Sequence, residues 1–234
     1  MTRTPRLFLY LALSGISAGS RAQSPAPARP SPPLHRIGLS SLCVTNGEVT
    51  ESPGGRLMID TPSSRAVVPG SSSAAAEIRF RYLGPSQGSK PLASGEMRRQ
   101  IGLKLRAQDS CNLLYAMWHI EPDSRLAVSV KRNPGQSQHA ECGARGYVNI
   151  KPARSVTMPR IQVNEWHTLR AELQGTQLTV VADGHAVWEG TVGTAIFEFD
   201  GPPGFRTDNA RCELEYLAGG EGPPVRACRP SPGD

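Results

Sequence analysis

Polar and aromatic side chains alternate with apolar ones along three successive segments in the middle of the chain. The alternating polar positions are Gln100, Lys104, Arg106, Tyr115, Met117, His119, Ser129 and Lys131. Successive side chains of a β-strand point to opposite faces, so we expect these groups to converge on one surface if the apolar set faces the core.

Such a surface combines cations that can pair a carboxylate with an aromatic ring that can stack on a flat ligand. The candidate binding residues are therefore Lys104, Arg106, Tyr115, His119 and Lys131. The alternative is an ordinary solvated strand face, where such side chains are common.

Two pairs of acids raise the question of hydrolysis, because glycosidases place two carboxylates around the bond that they cleave. Glu198 and Asp200 share the first two positions of the Glu-x-Asp-x-Glu spacing of jelly-roll glucanases, but a glycine and a proline follow and the third acid is missing. Glu213 and Glu215 also share one strand face. We expect both pairs to be solvated, and no catalytic residue is assigned.

Five cysteines, at positions 43, 111, 142, 212 and 228, indicate an oxidising compartment in which disulfides form. Cys111 and Cys142 are the predicted bridge, since each lies at the edge of a strand-like run, and the pairing of the other three stays open. A zinc site built from His139, Cys142 and Cys111 is the rival interpretation, but no Cys-x-x-Cys pair supports it.

The N-terminus has the pattern of a secretory signal. Two arginines precede a short apolar stretch from Leu7 to Leu13, and Ser20-Arg21-Ala22 supplies small residues where a signal peptidase cleaves. Residues 1–22 are therefore predicted to be a signal peptide, and the mature protein is expected to be secreted or periplasmic. The Gly-x-Ser-x-Gly match at Gly15–Gly19 lies inside this segment and cannot be a nucleophile elbow.

The net charge of +6 includes three arginines of this predicted signal peptide, so the mature chain carries +3. That small excess gives little support to nucleic-acid binding. No later apolar run approaches the roughly 18 residues that a membrane span needs.

Periodicity divides the remaining chain into one domain between two flexible ends. Residues 23–36 form a proline-rich linker, residues 37–217 a β-sandwich domain, and residues 218–234 a tail rich in glycine and proline. Hydrophobic alternation with period two and closely spaced turn signals predict about a dozen strands. So many short antiparallel strands require two packed sheets. The predicted strands lie near residues 56–60, 77–83, 100–106, 114–120, 126–131, 146–150, 156–163, 166–174, 177–182, 185–192 and 210–217.

The segment from Trp166 to Val192 reads as a strand–turn–strand–turn–strand meander, with Asp183-Gly184 at a tight hairpin. This segment and the later Gly204–Leu217 resemble the concanavalin A-like jelly-roll superfamily, including laminin G-like and 3-keto-disaccharide hydrolase-type domains. The resemblance implies an all-β, two-sheet antiparallel jelly-roll sandwich.

Members of that superfamily often bind carbohydrate, so the leading hypothesis is an exported module that recognises a polysaccharide or cell-wall glycan. One alternative is a glycoside hydrolase or polysaccharide lyase acting on the same face, and another is a structural or protein-interaction domain of the cell envelope. Jelly-roll alginate lyases resemble residues 96–102 and 145–151, but Gly102 stands where their essential histidine lies. No cofactor is expected, although jelly rolls often carry calcium and the loop residues Asp200, Asp208 and Asn209 could supply ligands.

Overall fold

The computed structural model describes residues 33–219. The predicted signal peptide, most of the predicted linker and tail, and Cys228 lie outside the described residues. Within residues 33–219 the chain forms sixteen strands, one helical turn α1 (His139–Cys142) and two 3-10 turns at Leu39–Ser41 and Thr194–Glu198. The strands are β1 (His35–Ile37), β2 (Cys43–Asn46), β3 (Thr50–Glu51), β4 (Leu57–Ile59), β5 (Ser63–Val67), β6 (Ala75–Pro85), β7 (Arg99–Leu105), β8 (Leu113–Glu121), β9 (Arg125–Lys131), β10 (Tyr147–Asn149), β11 (Arg154–Ser155), β12 (Trp166–Gln174), β13 (Gln177–Ala182), β14 (His185–Thr191), β15 (Gly204–Asp208) and β16 (Ala210–Ala218).

These strands build two antiparallel sheets. The nine-stranded sheet has the order β11-β14-β13-β12-β6-β16-β4-β3, with β1 added beside β16. The seven-stranded sheet has the order β10-β9-β8-β7-β15-β5-β2. The predicted all-β, two-sheet antiparallel sandwich is therefore confirmed.

The core lies between the two sheets and follows the alternation of the sequence. Leu169, Ala171 and Leu173 of β12 are buried from one side, and Trp118 of β8 is fully buried from the other. The Phe80 ring meets Trp118 edge to face, with 5.7 Å between the ring centroids. Burying a large apolar side chain of this kind contributes about 2 kcal/mol, so the inner faces fix the register of both sheets.

The structure differs from the predicted strands at the less regular sequences. The prediction of a strand over residues 156–163 is wrong, because only Arg154–Ser155 pairs with β14, and Pro159 removes a backbone donor from the segment that follows. Among the short strands near the N-terminus, β4 matches the strand predicted near residues 56–60, whereas β1, β2, β3 and β5 were not predicted. One of them, β1, pairs with β16 and includes His35 and Arg36 from the range predicted as linker.

Cys111 and Cys142 are joined by a disulfide, with 5.9 Å between their Cα atoms. The bridge fastens α1 to the start of β8. It also excludes the zinc site proposed for these cysteines and His139, because disulfide sulfurs are not available as thiolate ligands. Cys212 is a free thiol buried in the core.

In the part of the chain from residue 33 to residue 219, no helix is long and apolar enough to cross a membrane.

We expect the double substitution C111S/C142S to lower the free energy of unfolding by about 3 kcal/mol, because the bridge closes a loop with a sequence separation of 31 residues. For a domain of this size the melting temperature should fall by roughly 10 °C in scanning calorimetry. Cys212→Ala is the control, since it removes a thiol without opening a loop and should cost less. An unchanged melting temperature of the double variant would contradict a stabilising bridge.

Candidate functional site

A cavity of about 1380 Å³ extends from the outer face of the seven-stranded sheet to core side chains at its edge, among them Val128 and Trp188. Its volume exceeds the 300–1,000 Å³ typical of sites for single small molecules, so it has room for several sugar rings. One wall is the loop of residues 90–98, and another is the segment of residues 155–158. The floor side chains come from β5, β7, β8, β9 and β15, and they are Arg65, Gln100, Tyr115, Met117, His119, Ser129, Arg206 and Asp208.

The sheet register arranges the floor in rows across the strands. Gln100 pairs with His119 on one side and Asp208 on the other, and Gly102 lies in the next row between Met117 and Arg206. A Cβ atom on Gly102 would come within 2.3 Å of the Ala116 carbonyl oxygen, so only glycine fits there. The position at which alginate lyases carry a histidine therefore has no room for one in this chain.

A buried ion pair holds the centre of the floor. Arg206 Nε donates to Asp208 Oδ2 at 2.8 Å, and its Nη2 donates to Oδ1 at 3.2 Å. Gln100 Nε2 and Ser63 Oγ also donate to the Asp208 carboxylate. Burial alone would raise the pKa of Asp208, but the charge of Arg206 and the hydrogen bonds from Arg206 and Gln100 hold it below its usual value. Asp208 is therefore ionised at neutral pH.

Two tyrosines form an aromatic pair beside this ion pair. The rings of Tyr115 and Tyr147 are stacked with their centroids 6.1 Å apart. The Arg206 guanidinium lies 5.3 Å from the Tyr115 centroid, and its Nη1 donates to the Tyr147 hydroxyl at 3.3 Å. Tyr115 is buried and its pKa is raised to about 12 by that burial, whereas Tyr147 is 38% exposed. Tyr147 is thus the ring of the pair that a ligand reaches.

His119 is buried at the floor and lies next to a guanidinium. Arg98 Nη1 is 3.1 Å from His119 Nε2, the geometry of a hydrogen bond that Arg98 donates. Burial, followed by the charge of Arg98, lowers the pKa of His119 to about 3, so the imidazole is neutral at neutral pH. His119 and Tyr147 are not cross-strand neighbours, so they do not form a general-base pair. The register instead pairs His119 with Gln100 and Arg125, while Tyr147 pairs with Lys131.

The two predicted lysines line a separate cavity of about 210 Å³ rather than the large cleft. Lys104 and Lys131 are both buried, and Tyr115 and Tyr147 line both cavities. Lys131 Nζ donates to the Ser110 carbonyl oxygen at 2.9 Å and lies 5.2 Å from the Tyr147 ring centroid. Lys131 therefore contacts the aromatic pair from the side of the smaller cavity.

The prediction that Arg106 belongs to this face is wrong. Strand β7 ends at Leu105, and Arg106 has a φ of 49°, which breaks the alternation. Its guanidinium donates to the carbonyl oxygens of Ile196 and Phe199 and pairs with Asp200 at 3.5 Å. Arg106 thus fastens the 3-10 turn of residues 194–198 instead of lining the cleft.

The acids considered for catalysis or calcium binding are engaged in ion pairs with arginines. Glu198 pairs with Arg132, and both Glu213 and Glu215 pair with Arg56 on the outer face of the nine-stranded sheet. Among the proposed calcium ligands, Asp200 contacts Arg106 and Asp208 contacts Arg206. Within residues 33–219, no group of three or more His, Cys, Asp and Glu side chains could hold a metal ion.

The third proposed ligand, Asn209, fastens the wall of the cleft. Its side-chain Nδ2 donates to the carbonyl oxygens of Lys90 and Arg98, and its Oδ1 accepts from the Lys90 amide at 3.0 Å. Asn209 is fully buried and has a φ of 54°, a conformation that asparagine tolerates better than most residues. One side chain therefore holds both ends of the loop of residues 90–98.

Sequence reasoning did not single out Arg65, Arg98 or Arg206 for the site, and considered Tyr147 only through the lyase resemblance. The alternation of the sequence could have identified Arg206, because Phe205 and Thr207 are buried in the core while Arg206 and Asp208 alternate with them and face the cleft. The loop residues carry no such periodicity.

We expect Asn209→Gly to speed amide hydrogen exchange in residues 90–98, because glycine keeps the backbone conformation but removes the bonds to Lys90 and Arg98. Asn164→Gly is the matched control, since Asn164 also has positive φ (71°) but is exposed. Exchange by mass spectrometry should rise in the loop of the first variant alone. Equal protection of the loop in both variants would contradict the anchoring role of Asn209.

The depressed pKa of His119 predicts a pH-dependent stability. The unfolded chain binds a proton near pH 6.5, whereas folded His119 binds one near pH 3, so stability is complete above pH 6.5 and falls as the pH is lowered toward 3. His119→Gln should reduce the loss between pH 6.5 and pH 4, measured by denaturant unfolding, by on the order of 2 kcal/mol. His185→Gln, at an exposed position of β14, should not. An identical pH dependence of both variants would contradict this assignment.

Comparisons with known proteins place the fold. No protein-family model matches the sequence, and the comparison with curated proteins finds no match. Among solved structures, the carbohydrate-binding module CBM66 from Bacillus subtilis aligns over 76% of this chain and 94% of its own, with a TM-score of 0.53 and 16% identity. A putative glycosyl hydrolase from Parabacteroides distasonis covers 79% of this chain and 90% of its own (TM-score 0.48, 11% identity), and a tetrameric galectin from Cinachyrella sp. covers 68% and 100% (TM-score 0.43, 13% identity). Together with the two antiparallel sheets, the alignment with CBM66 shows the concanavalin A-like jelly-roll fold.

Proposed function

We propose that this protein is an exported module that binds a polysaccharide or cell-wall glycan in the cleft on its seven-stranded sheet. The observation that carries the proposal is the arrangement of Tyr147, Tyr115 and Arg206, in which an accessible aromatic ring lies beside a rigidly held guanidinium. Flat aromatic rings suit the apolar faces of sugars, and fixed polar groups suit their hydroxyl and carboxylate substituents. The similarity to a carbohydrate-binding module supports the fold on which such a site is built.

Binding fits the cleft better than hydrolysis does. The carboxylates among its described lining residues are Glu96 and Asp208. Asp208 is held by Arg206, Gln100 and Ser63, and Glu96 forms an ion pair with Arg98 at 3.0 Å. A glycosidase needs one carboxyl group that can give up a proton and another that can act as a base or nucleophile. Neither of these engaged groups meets that need.

A polysaccharide lyase is a second candidate, and the contact between Tyr147 and Arg206 favours it. Elimination requires a group that removes a proton next to a carboxylate and a cation that neutralises this carboxylate. The Tyr147 hydroxyl accepts a hydrogen bond from Arg206, so both kinds of group lie together in the cleft. Ultraviolet absorbance from an unsaturated product after incubation with uronate polymers would favour the lyase over the binding module.

Export is part of the proposal. The predicted signal peptide over residues 1–22 requires it, and the disulfide between Cys111 and Cys142 fits an oxidising environment outside the cytoplasm. Intact mass of the exported protein should show a chain that begins at Gln23.

The test of glycan binding is affinity electrophoresis of the mature protein through a panel of acidic and neutral polysaccharides. Tyr147→Ala should weaken retention about tenfold, because a stacked aromatic ring contributes about 1 kcal/mol or slightly more. Phe197→Ala is the matched control, since Phe197 is 54% exposed beside Arg106 and outside the cleft lining. Binding to no polysaccharide would contradict the proposal and favour a structural or protein-interaction domain.

A further inference from the structure

We propose that the end of the cleft between the loop of residues 90–98 and Arg125 is a subsite for an anionic substituent of the glycan, a carboxylate or a sulfate. The inference rests on the proposed glycan-binding function and names the class of glycan. Lys90 and Arg125 would bind the anion, and Asn209 is the positioning residue that keeps the loop in place.

The charges that line the cleft are mostly positive. Five cations line it, and they are Arg65, Lys90, Arg98, Arg125 and Arg206. The carboxylates of the described lining each have a cationic partner within the site, Asp208 with Arg206 and Glu96 with Arg98. The charges of Lys90 and Arg125, both exposed, therefore remain available to a ligand.

Three of these cations, Arg98, Arg125 and Arg206, act on one place, the end of the floor at His119. Burial lowers the pKa of this histidine most, and the neighbouring charges of Arg98, Arg125 and Arg206 lower it further, while Asp208 opposes them. Burial also lowers the pKa of Arg98, as do the charges of Arg125 and Arg206, while Glu96 and Asp208 raise it. Cationic groups that lower one another's pKa values create a positive electrostatic potential at this end of the cleft. An anion bound there would be stabilised by that potential.

The geometry shows how the loop contributes to this potential. Lys90 and Arg98 lie at its two ends, and each gives a backbone carbonyl oxygen to Asn209 Nδ2, at 2.8 Å and 3.1 Å. Asn209 follows Asp208 directly, so the residue that holds the loop adjoins the residue that holds Arg206. The backbone at Lys90 and Arg98 is therefore held beside the strand that carries Arg206, and a wall fixed in this way contributes the preorganisation that a binding site requires.

Two pairs of polymers that differ chiefly in charge separate this proposal from plain sugar binding. One pair is polygalacturonate and its methyl ester, which tests the carboxylate, and the other is dextran sulfate and dextran, which tests the sulfate. Calorimetric titration of the mature protein should show at least tenfold tighter binding to the charged member of one pair. Since the contact is electrostatic, that preference should decrease when salt is added.

The variants locate the subsite. Arg125→Gln and Lys90→Gln should each reduce the affinity for the charged polymer about threefold to tenfold and leave the affinity for its neutral partner unchanged. Arg160→Gln removes the same charge from an exposed position outside the cleft lining and should keep the preference. Asn209→Gly should lower the ratio between charged and neutral affinities without abolishing neutral binding, a readout that a loss of overall stability would not mimic.

Three other outcomes would contradict the anionic subsite or the proposed glycan binding. Equal affinity for the members of both pairs would exclude the anionic subsite and leave glycan binding intact. A preference for charge that Arg160→Gln reduces as much as Arg125→Gln would show diffuse attraction instead of a site. Binding to none of these polymers or to any other glycan would contradict the proposed function itself.

Discussion

The candidate site depends on a carboxylate that is almost completely removed from water. Burying Asp208 without partners would cost several kcal/mol, so the fold has to supply a cation and hydrogen-bond donors. It does so with Arg206 from the same strand, Gln100 from the neighbouring strand and Ser63 from the strand on the other side. Because these partners come from three adjacent strands, their hydrogen bonds to Asp208 connect the strands in the middle of the sheet. The ion pair also holds the guanidinium of Arg206 over the floor of the cleft.

Strand β15 connects this ion pair with the core on the other side of the sheet. Phe205 and Thr207 face the core, where Phe205 packs against Tyr216 with 5.4 Å between ring centroids, while Arg206 and Asp208 face the cleft. The next residue, Asn209, leaves the strand in a left-handed conformation and holds the loop that forms one wall. Five consecutive residues therefore contribute to the core, to the floor of the cleft and to its wall. A substitution at any of these five residues should alter the geometry of the site.

Sequence alone predicted the sandwich because its central strands alternate strictly, as β7, β8 and β12 show, and because turn signals separate them. It also placed Tyr115 and His119 opposite the core, where the structure has them. It failed at Arg106, since periodicity does not reveal that a strand ends one residue earlier and that the backbone then turns to positive φ.

The residues of the cleft walls could not be predicted from the sequence for a different physical reason. Lys90, Arg98 and Arg125 lie on loops or at a strand end, so their positions depend on contacts with residues distant in the chain, such as those of Asn209 with Lys90. Alternation identifies the face of a strand to which a residue belongs, but contacts between distant segments follow from tertiary packing.

The most direct test of the account is a crystal structure of the mature protein with a bound oligosaccharide from the polymer that it retains most strongly. We predict density for sugar rings over Tyr147 and Arg206 in the cleft of the seven-stranded sheet, with Asp208 still paired to Arg206. Sugar bound instead on the outer face of the nine-stranded sheet, or at the strand ends with the cleft empty, would contradict it.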